Sequence, residues 1–214
     1  ITNEITMKRK ILLLALICLY IAVQANHFTK QITVDGSGGG DYTSLQMAVN
    51  AIRAFDPDGG TVILLKNGVY HVKIVGENKE HTVISFNDHA KINNMGTFNT
   101  YTMQIRGNDI ILENLTVENI AEPLGQAVAL HTEGSRLIFK NCNFRGNQDT
   151  VYVGGEDNKL FFLNCYVEGT TDYIFGGATA WFEKCELHCK SDSYITAAST
   201  PQQVEFGFIF NNCT

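Results

Sequence analysis

Two short stretches of this 214-residue chain carry residue types suited to ester chemistry: Asn147-Gln148-Asp149-Thr150-Val151-Tyr152 and Gly169-Thr170-Thr171-Asp172-Tyr173-Ile174-Phe175-Gly176. Each sets an aspartate just ahead of a β-prone run. Asp149 and Asp172 are 23 residues apart, and so are Cys142 and Cys165, so each aspartate follows a cysteine by seven residues. Equal spacing of unlike residues signals a repeating coil that stacks the two carboxyls. Neighbouring strands stand ~4.8 Å apart, which brings the carboxyls to roughly 5 Å. Two like charges that close do not both ionise freely, so one stays protonated while the other is a base or nucleophile. Gln126 and Gln148, with side-chain N–H groups on the same face, are placed to hold a developing oxyanion. Together these residues suit acyl transfer with a carboxylate nucleophile. The same carboxyl separation also suits a retaining glycosidase, the second reading.

The elements that must position these residues repeat as well. Apolar runs begin at Asp109, Arg136, Lys159, Thr179 and Phe208, and their anchor column reads Leu115, Cys142, Cys165, Cys185, Cys213, with spacings of 27, 23, 20 and 28. An irregular period in the twenties on a strand pattern predicts a solenoid, here a parallel β-helix, because the leucine-rich pattern is absent. No coil buries its apolar face alone, so the cysteines are read as a ladder of small core side chains rather than metal ligands. Asn141, Asn164 and Asn212, each ahead of a ladder cysteine, are read as turn residues. Gln126 enters the register less regularly, 11 residues after Leu115. Tyr152, Tyr173 and Phe175 either line a carbohydrate groove or fill the coil. His131 is read as structural. Ahead of the repeats, Ile32-Thr33-Val34 predicts a strand, and Leu45, Ala48, Val49 and Ile52 predict a short helix capped by Thr43 or Ser44 that covers one end of a sheet.

Composition bounds the partners. Met7-Lys8-Arg9-Lys10 followed by the apolar run Ile11–Val23 and Val23-Gln24-Ala25 predicts a secretory signal peptide over residues 7–25, preceded by a translated leader at 1–6. The run is too short to span a bilayer, so no membrane association is expected once it is removed. Removing residues 1–25, with three basic and one acidic side chain, moves the formal net charge from −6 to −8. An acidic secreted domain without a basic patch is not a nucleic-acid binder. Five cysteines then remain in an oxidising compartment, where disulfides are open to them. The spacing of cysteines and histidines predicts no metal site. Asn114-Leu115-Thr116 and Asn212-Cys213-Thr214 match the glycosylation acceptor pattern but sit on positions expected to pack.

Gly125-Gln126-Ala127-Val128-Ala129-Leu130, Gln148-Asp149-Thr150-Val151-Tyr152 and Gly169 to Gly176 resemble the signature motifs of the pectin methylesterase (pectinesterase) family. Val34-Asp35-Gly36-Ser37-Gly38 with Asp41-Tyr42, then Thr97-Phe98, and Tyr194-Ile195-Thr196-Ala197 are similar to further family motifs in the same order. The resemblance covers residues 32–214 and implies an all-β, right-handed single-stranded parallel β-helix without metal or other cofactor. It implies a secreted, extracellular, monomeric esterase acting on methyl-esterified homogalacturonan (pectin). Asp172 would be the nucleophile, Asp149 the proton donor and general acid-base, and Gln126 and Gln148 the oxyanion stabilisers. Thr102, with Thr100 as the neighbouring choice, would contact substrate. The family's later arginine–proline–tryptophan motif has no counterpart here. Its arginine would orient and ionise the nucleophile, and its tryptophan would contact sugar. The last residues fall on a repeat anchor without a cap, so residues 26–214 are expected to be a pectinesterase-like domain with C-terminal coils missing; an inactive fragment and a truncated, non-catalytic carbohydrate-binding β-helix are the alternatives to the esterase.

Overall fold

The computed structural model describes residues 28–52, 60–66 and 72–214, so the expected leader and signal peptide lie outside the described residues. The described residues fall into two compact units, one ahead of residue 70 and one from residue 72 to 214.

In the first unit, β1 (Phe28–Val34), α1 (Leu45–Asn50) and β2 (Gly60–Leu65) follow in order, with β1 and β2 pairing in parallel. Ser44 caps α1, its hydroxyl accepting from Met47 N at 3.2 Å, which satisfies one of the open amides of the first turn. Ala48 is fully buried.

The second unit is a coil of three strands per turn. The first turn is β3 (Val72–Val75), β4 (Val83–Phe86) and β5 (Met103–Ile105). The second is β6 (Ile110–Glu113), β7 (Thr116–Asn119) and β8 (Leu130–Thr132). The third is β9 (Leu137–Lys140), β10 (Asn143–Arg145) and β11 (Val151–Val153). The fourth is β12 (Lys159–Leu163), β13 (Tyr166–Gly169) and β14 (Ile174–Gly176). The fifth is β15 (Thr179–Glu183), β16 (Glu186–Cys189) and β17 (Thr196–Ala198), and β18 (Phe208–Asn211) opens a sixth. Corresponding strands stack into three all-parallel sheets, the architecture of a right-handed single-stranded parallel β-helix.

Each run read from the sequence as one repeat is in fact two strands hinged at a left-handed corner. Asn114, Asn141, Asn164, Lys184 and Asn212 take φ between 51° and 57°. Asparagine tolerates this region better than most side chains, which is why the column is asparagine at four of five positions. Asn141 Nδ2 donates to Asn114 Oδ1 at 2.7 Å, tying one corner to the next. After each corner the anchor residue turns inward: Leu115, Cys142, Cys165 and Cys185 are 1%, 0%, 2% and 1% exposed. Before the first corner stands Leu112, and before each of the other four a phenylalanine stacks on its neighbours, with ring centroids 4.6 Å apart for Phe139–Phe162, 4.4 Å for Phe162–Phe182 and 4.9 Å for Phe182–Phe210. Phe139, Phe162 and Phe182 are fully buried, each worth about 1.5–3 kcal/mol of transfer free energy. This phenylalanine ladder was not singled out in the sequence. The five cysteines of the described residues are free thiols. Among the described residues no helix is long and apolar enough to cross a membrane.

Candidate active site

The two aspartates occupy equivalent turns, Gly146–Asp149 between β10 and β11 and Gly169–Asp172 between β13 and β14. Both turns begin with a glycine three residues ahead of the aspartate, a regularity the sequence contains and the repeat argument did not use. A Cβ on Gly169 would stand 2.2 Å from Tyr173 Cβ and 2.6 Å from the Asn147 carbonyl oxygen, and one on Gly146 would stand 2.7 Å from Thr150 Oγ1. Only glycine lets the chain turn this tightly without displacing the neighbour. Asp149 and Asp172 themselves lie in the left-handed region, at φ 67° and 50°. Non-glycine residues there are uncommon, and an observed pair on adjacent coils points to a site that the surrounding structure holds in place. Thr150 Oγ1 donates to Glu168 O at 2.8 Å, Asn147 Nδ2 to Ala121 O at 3.2 Å, and Thr170 N to Asn147 O at 3.0 Å, so the turns are bonded coil to coil.

Register brings the predicted residues together. Val151 pairs with Ile174, and Asp149 N donates to Thr171 O at 3.1 Å, which sets Asp149 beside Asp172. On the preceding coil, Ala129 N and Leu130 N both donate to Thr150 O, one extra residue in that coil. Past it Ala127 N donates to Gln148 O at 3.0 Å, and the same parallel pattern sets Gln126 beside Gln148. Gln126, Gln148 and Asp172 are half-buried, and Asp149 is 9% exposed. Burial, and secondarily the charge of Asp172, push the Asp149 carboxyl up to about 7. The arrangement sets a carboxyl that keeps its proton up to about pH 7 beside a second aspartate, with two primary amides alongside. Among the described residues no group of three or more His, Cys, Asp or Glu side chains is placed to hold a metal.

Aromatic rings flank the carboxyls along the outer face of the β8–β11–β14 sheet. Tyr152 lies 5.0 Å from Phe175 and 4.7 Å from His131, centroid to centroid, and Phe98 closes over Tyr152 at 5.0 Å. Phe98 is 53% exposed and belongs to this surface. Sequence reasoning noted Thr97-Phe98 as a motif but gave the ring no place, since the contact joins a short 3₁₀ turn (Thr97–Asn99) to strands two and three coils on. His131 is buried beneath the rings with Nε2 3.1 Å from Glu133 Oε1, in keeping with a structural role.

Two expected substrate contacts have their hydroxyls engaged within the protein. Tyr173 is fully buried, its ring in the core and its hydroxyl 3.4 Å from Cys189 Sγ. Tyr173 lies just ahead of β14, directly after Asp172 at φ 50°, so it falls outside the alternation that turns Phe175 outward, and of the two readings kept for this residue the coil-filling one is correct. Thr102 lies two coils before Asp149, with its hydroxyl donating to Glu118 O at 2.8 Å. Thr100 is buried, donating to Thr97 O and accepting from Val128 N.

Comparison with known proteins decides the family. A family model described as Pectinesterase matches residues 31–214. The chain belongs to the pectinesterase family. Pectinesterase 31 of Arabidopsis thaliana is 36% identical over 210 residues, covering 86% of this chain and 64% of that protein. Pectin methylesterase PemA from Erwinia chrysanthemi superposes with a TM-score of 0.63 at 29% identity, covering 88% of this chain and 66% of the other. A pectin methylesterase solved in complex with a hexasaccharide matches with the same TM-score, identity and coverage. This pectinesterase-family chain therefore spans about two thirds of the length of these relatives.

Proposed function

We propose that the protein is a secreted esterase that hydrolyses the methyl esters of galacturonate units in pectin to carboxylate and methanol. The observation that carries this reading is the pairing of a buried, proton-holding Asp149 with a more open Asp172 on the next coil. In the first step Asp172 attacks the ester carbonyl, and the side-chain amides of Gln126 and Gln148 stabilise the resulting oxyanion. Asp149 gives its proton to the departing methanol, leaving an acyl group on Asp172. Asp149, now a carboxylate, takes a proton from a water that attacks this acyl group, which frees the galacturonate and returns Asp172. Tyr152, Phe175 and Phe98 offer the ring surface on which the flanking sugars would lie, as the hexasaccharide complex of a relative makes reasonable.

The test is methanol release from methyl-esterified pectin by the purified protein, with reducing ends counted in the same tubes. Methanol without new reducing ends, abolished in Asp172→Asn, supports the esterase. New reducing ends would instead favour the glycosidase that the carboxyl separation also permits. Pectin binding with neither product would favour a non-catalytic carbohydrate-binding β-helix.

A further inference from the structure

The two turns that carry Asp149 and Asp172 share one outside support. We infer that Lys190, on the coil after Asp172, is a positioning residue for the reaction proposed above. Its backbone N–H donates to Gly169 O at 2.8 Å. Its ammonium donates to Gly146 O and to Asn147 Oδ1, both at 2.9 Å, and reaches Glu168 Oε1 at 3.4 Å. A lysine ammonium has three donors, and here all three are used on two different coils. The two carbonyls held are those of the glycines that open the aspartate turns. Glycine is the residue with most backbone freedom to lose, so these are the positions where an added restraint matters most.

The ammonium's charge is already answered by Glu168, its partners are carbonyl, amide and carboxylate oxygens, and Asp149 is not among the residues lining the cleft it occupies. Lys190 therefore acts through geometry. It fixes the peptide two residues ahead of Gln148, which sets where the oxyanion-holding amide and the proton-donating carboxyl point. The lysine side chain is 33% exposed, lining a small polar cleft with Glu118, Arg145 and Glu168, so removing its amine leaves no buried hole. Ser191 Oγ donates to Thr170 O at 2.9 Å and Thr171 Oγ1 to Ser193 Oγ at 3.0 Å, so the same segment braces the second turn while Lys190 alone of these residues extends to the first.

This rests on the esterase reading, and the test separates the two. Wild type, Lys190→Met and Lys190→Arg are compared for methanol release and for amide hydrogen exchange over residues 146–150. Lys190→Met is expected to lose about tenfold in kcat with KM within about twofold, as misplacement of catalytic groups does. Exchange over 146–150 should quicken in the same variant. Lys190→Arg, which keeps several donors, should recover most of the rate. An unchanged kcat, a loss confined to KM, or unchanged exchange over 146–150 would overturn the assignment. If wild type releases no methanol, the esterase reading falls, and the exchange comparison still decides whether Lys190 holds the turn. Should Lys190→Met not yield folded protein, Lys190→Gln carries the same measurements.

Discussion

The turns at Gly146–Asp149 and Gly169–Asp172 are copies in backbone and opposites in chemistry. Both open on a glycine, both put an aspartate at positive φ, and both feed a strand of the same sheet. What differs is the neighbour on the far side. Asp149 lies against Ala127 and Val128, 1% and 0% exposed. Asp172 donates its N–H to Tyr194 O, where Tyr194 and Ile195 are 77% and 36% exposed. A coil with one extra residue packs one aspartate, and an open loop beyond β16 leaves the other to solvent. In the mechanism proposed above, the solenoid makes an acid and a nucleophile from one repeated motif by changing only what stacks above and below.

The comparison is broken most forcefully by removing each carboxylate in turn. Asp172→Asn takes away the nucleophile and is expected to lose on the order of 10⁴-fold in kcat or more. Asp149→Asn keeps the nucleophile and removes proton transfer, a smaller loss of about 10²–10⁴-fold. The two also separate by pH. With its carboxyl at about 7, Asp149 stops being a donor as pH climbs past neutrality, so wild-type kcat/KM should fall there and Asp149→Asn should lack that limb. Equal losses and identical pH profiles in the two variants would mean that the repeated turns are chemically equivalent after all.

A second test strikes the shared backbone rather than the side chains. Gly169→Ala drives a Cβ into Tyr173 Cβ and the Asn147 carbonyl, both part of the packed coil, whereas Gly146→Ala meets only the Thr150 side chain. Overpacking of this kind costs about 1–3 kcal/mol. Gly169→Ala is expected at the upper end and Gly146→Ala at the lower, read as unfolding midpoints in denaturant. The reverse order would show that the Thr150 hydroxyl, bonded to Glu168 O, is the less yielding neighbour.

Much of this was legible in the residues. The Cys-to-Asp spacing gave the register that β11 and β14 adopt, and the asparagines ahead of the ladder cysteines were already read as turns. The alternation that buries every second side chain of β9, β12 and β15 went unused, and it does not rank Tyr152 against Tyr173, because Tyr173 sits between the Asp172 corner and β14, where alternation begins afresh. Phe98 was named in a motif but given no place, because its contacts lie two and three coils away, set by stacking and not by any local pattern. Lys190 escaped for the same reason: an ammonium that reaches Gly146, 44 residues earlier, leaves no trace in spacing. The difference in burial between the two aspartates depends on one inserted residue near Ala129, which no motif announces.

The smallest effect is the most informative about cause. A carboxyl whose pKa is raised on folding, here from 3.8 to about 7, favours the folded state fully below about pH 4 and loses that favour as pH rises through 7. Asparagine is the neutral isostere and tolerates φ 67° as well as aspartate does. Asp149→Asn should therefore match wild-type stability near pH 4 and exceed it at pH 8, with Tm moving roughly 2–4 °C for each kcal/mol. Asp172→Asn removes only the charge that Asp149 feels and leaves Asp149 buried, so its gain at pH 8 should be smaller. Thermal unfolding of the two variants at both pH values makes the measurement. Unequal gains in that order mean that burial against Ala127 and Val128 is what sets Asp149 apart. Equal gains would assign the difference to mutual repulsion, and the contrast between the two turns would then be electrostatic and not a matter of packing.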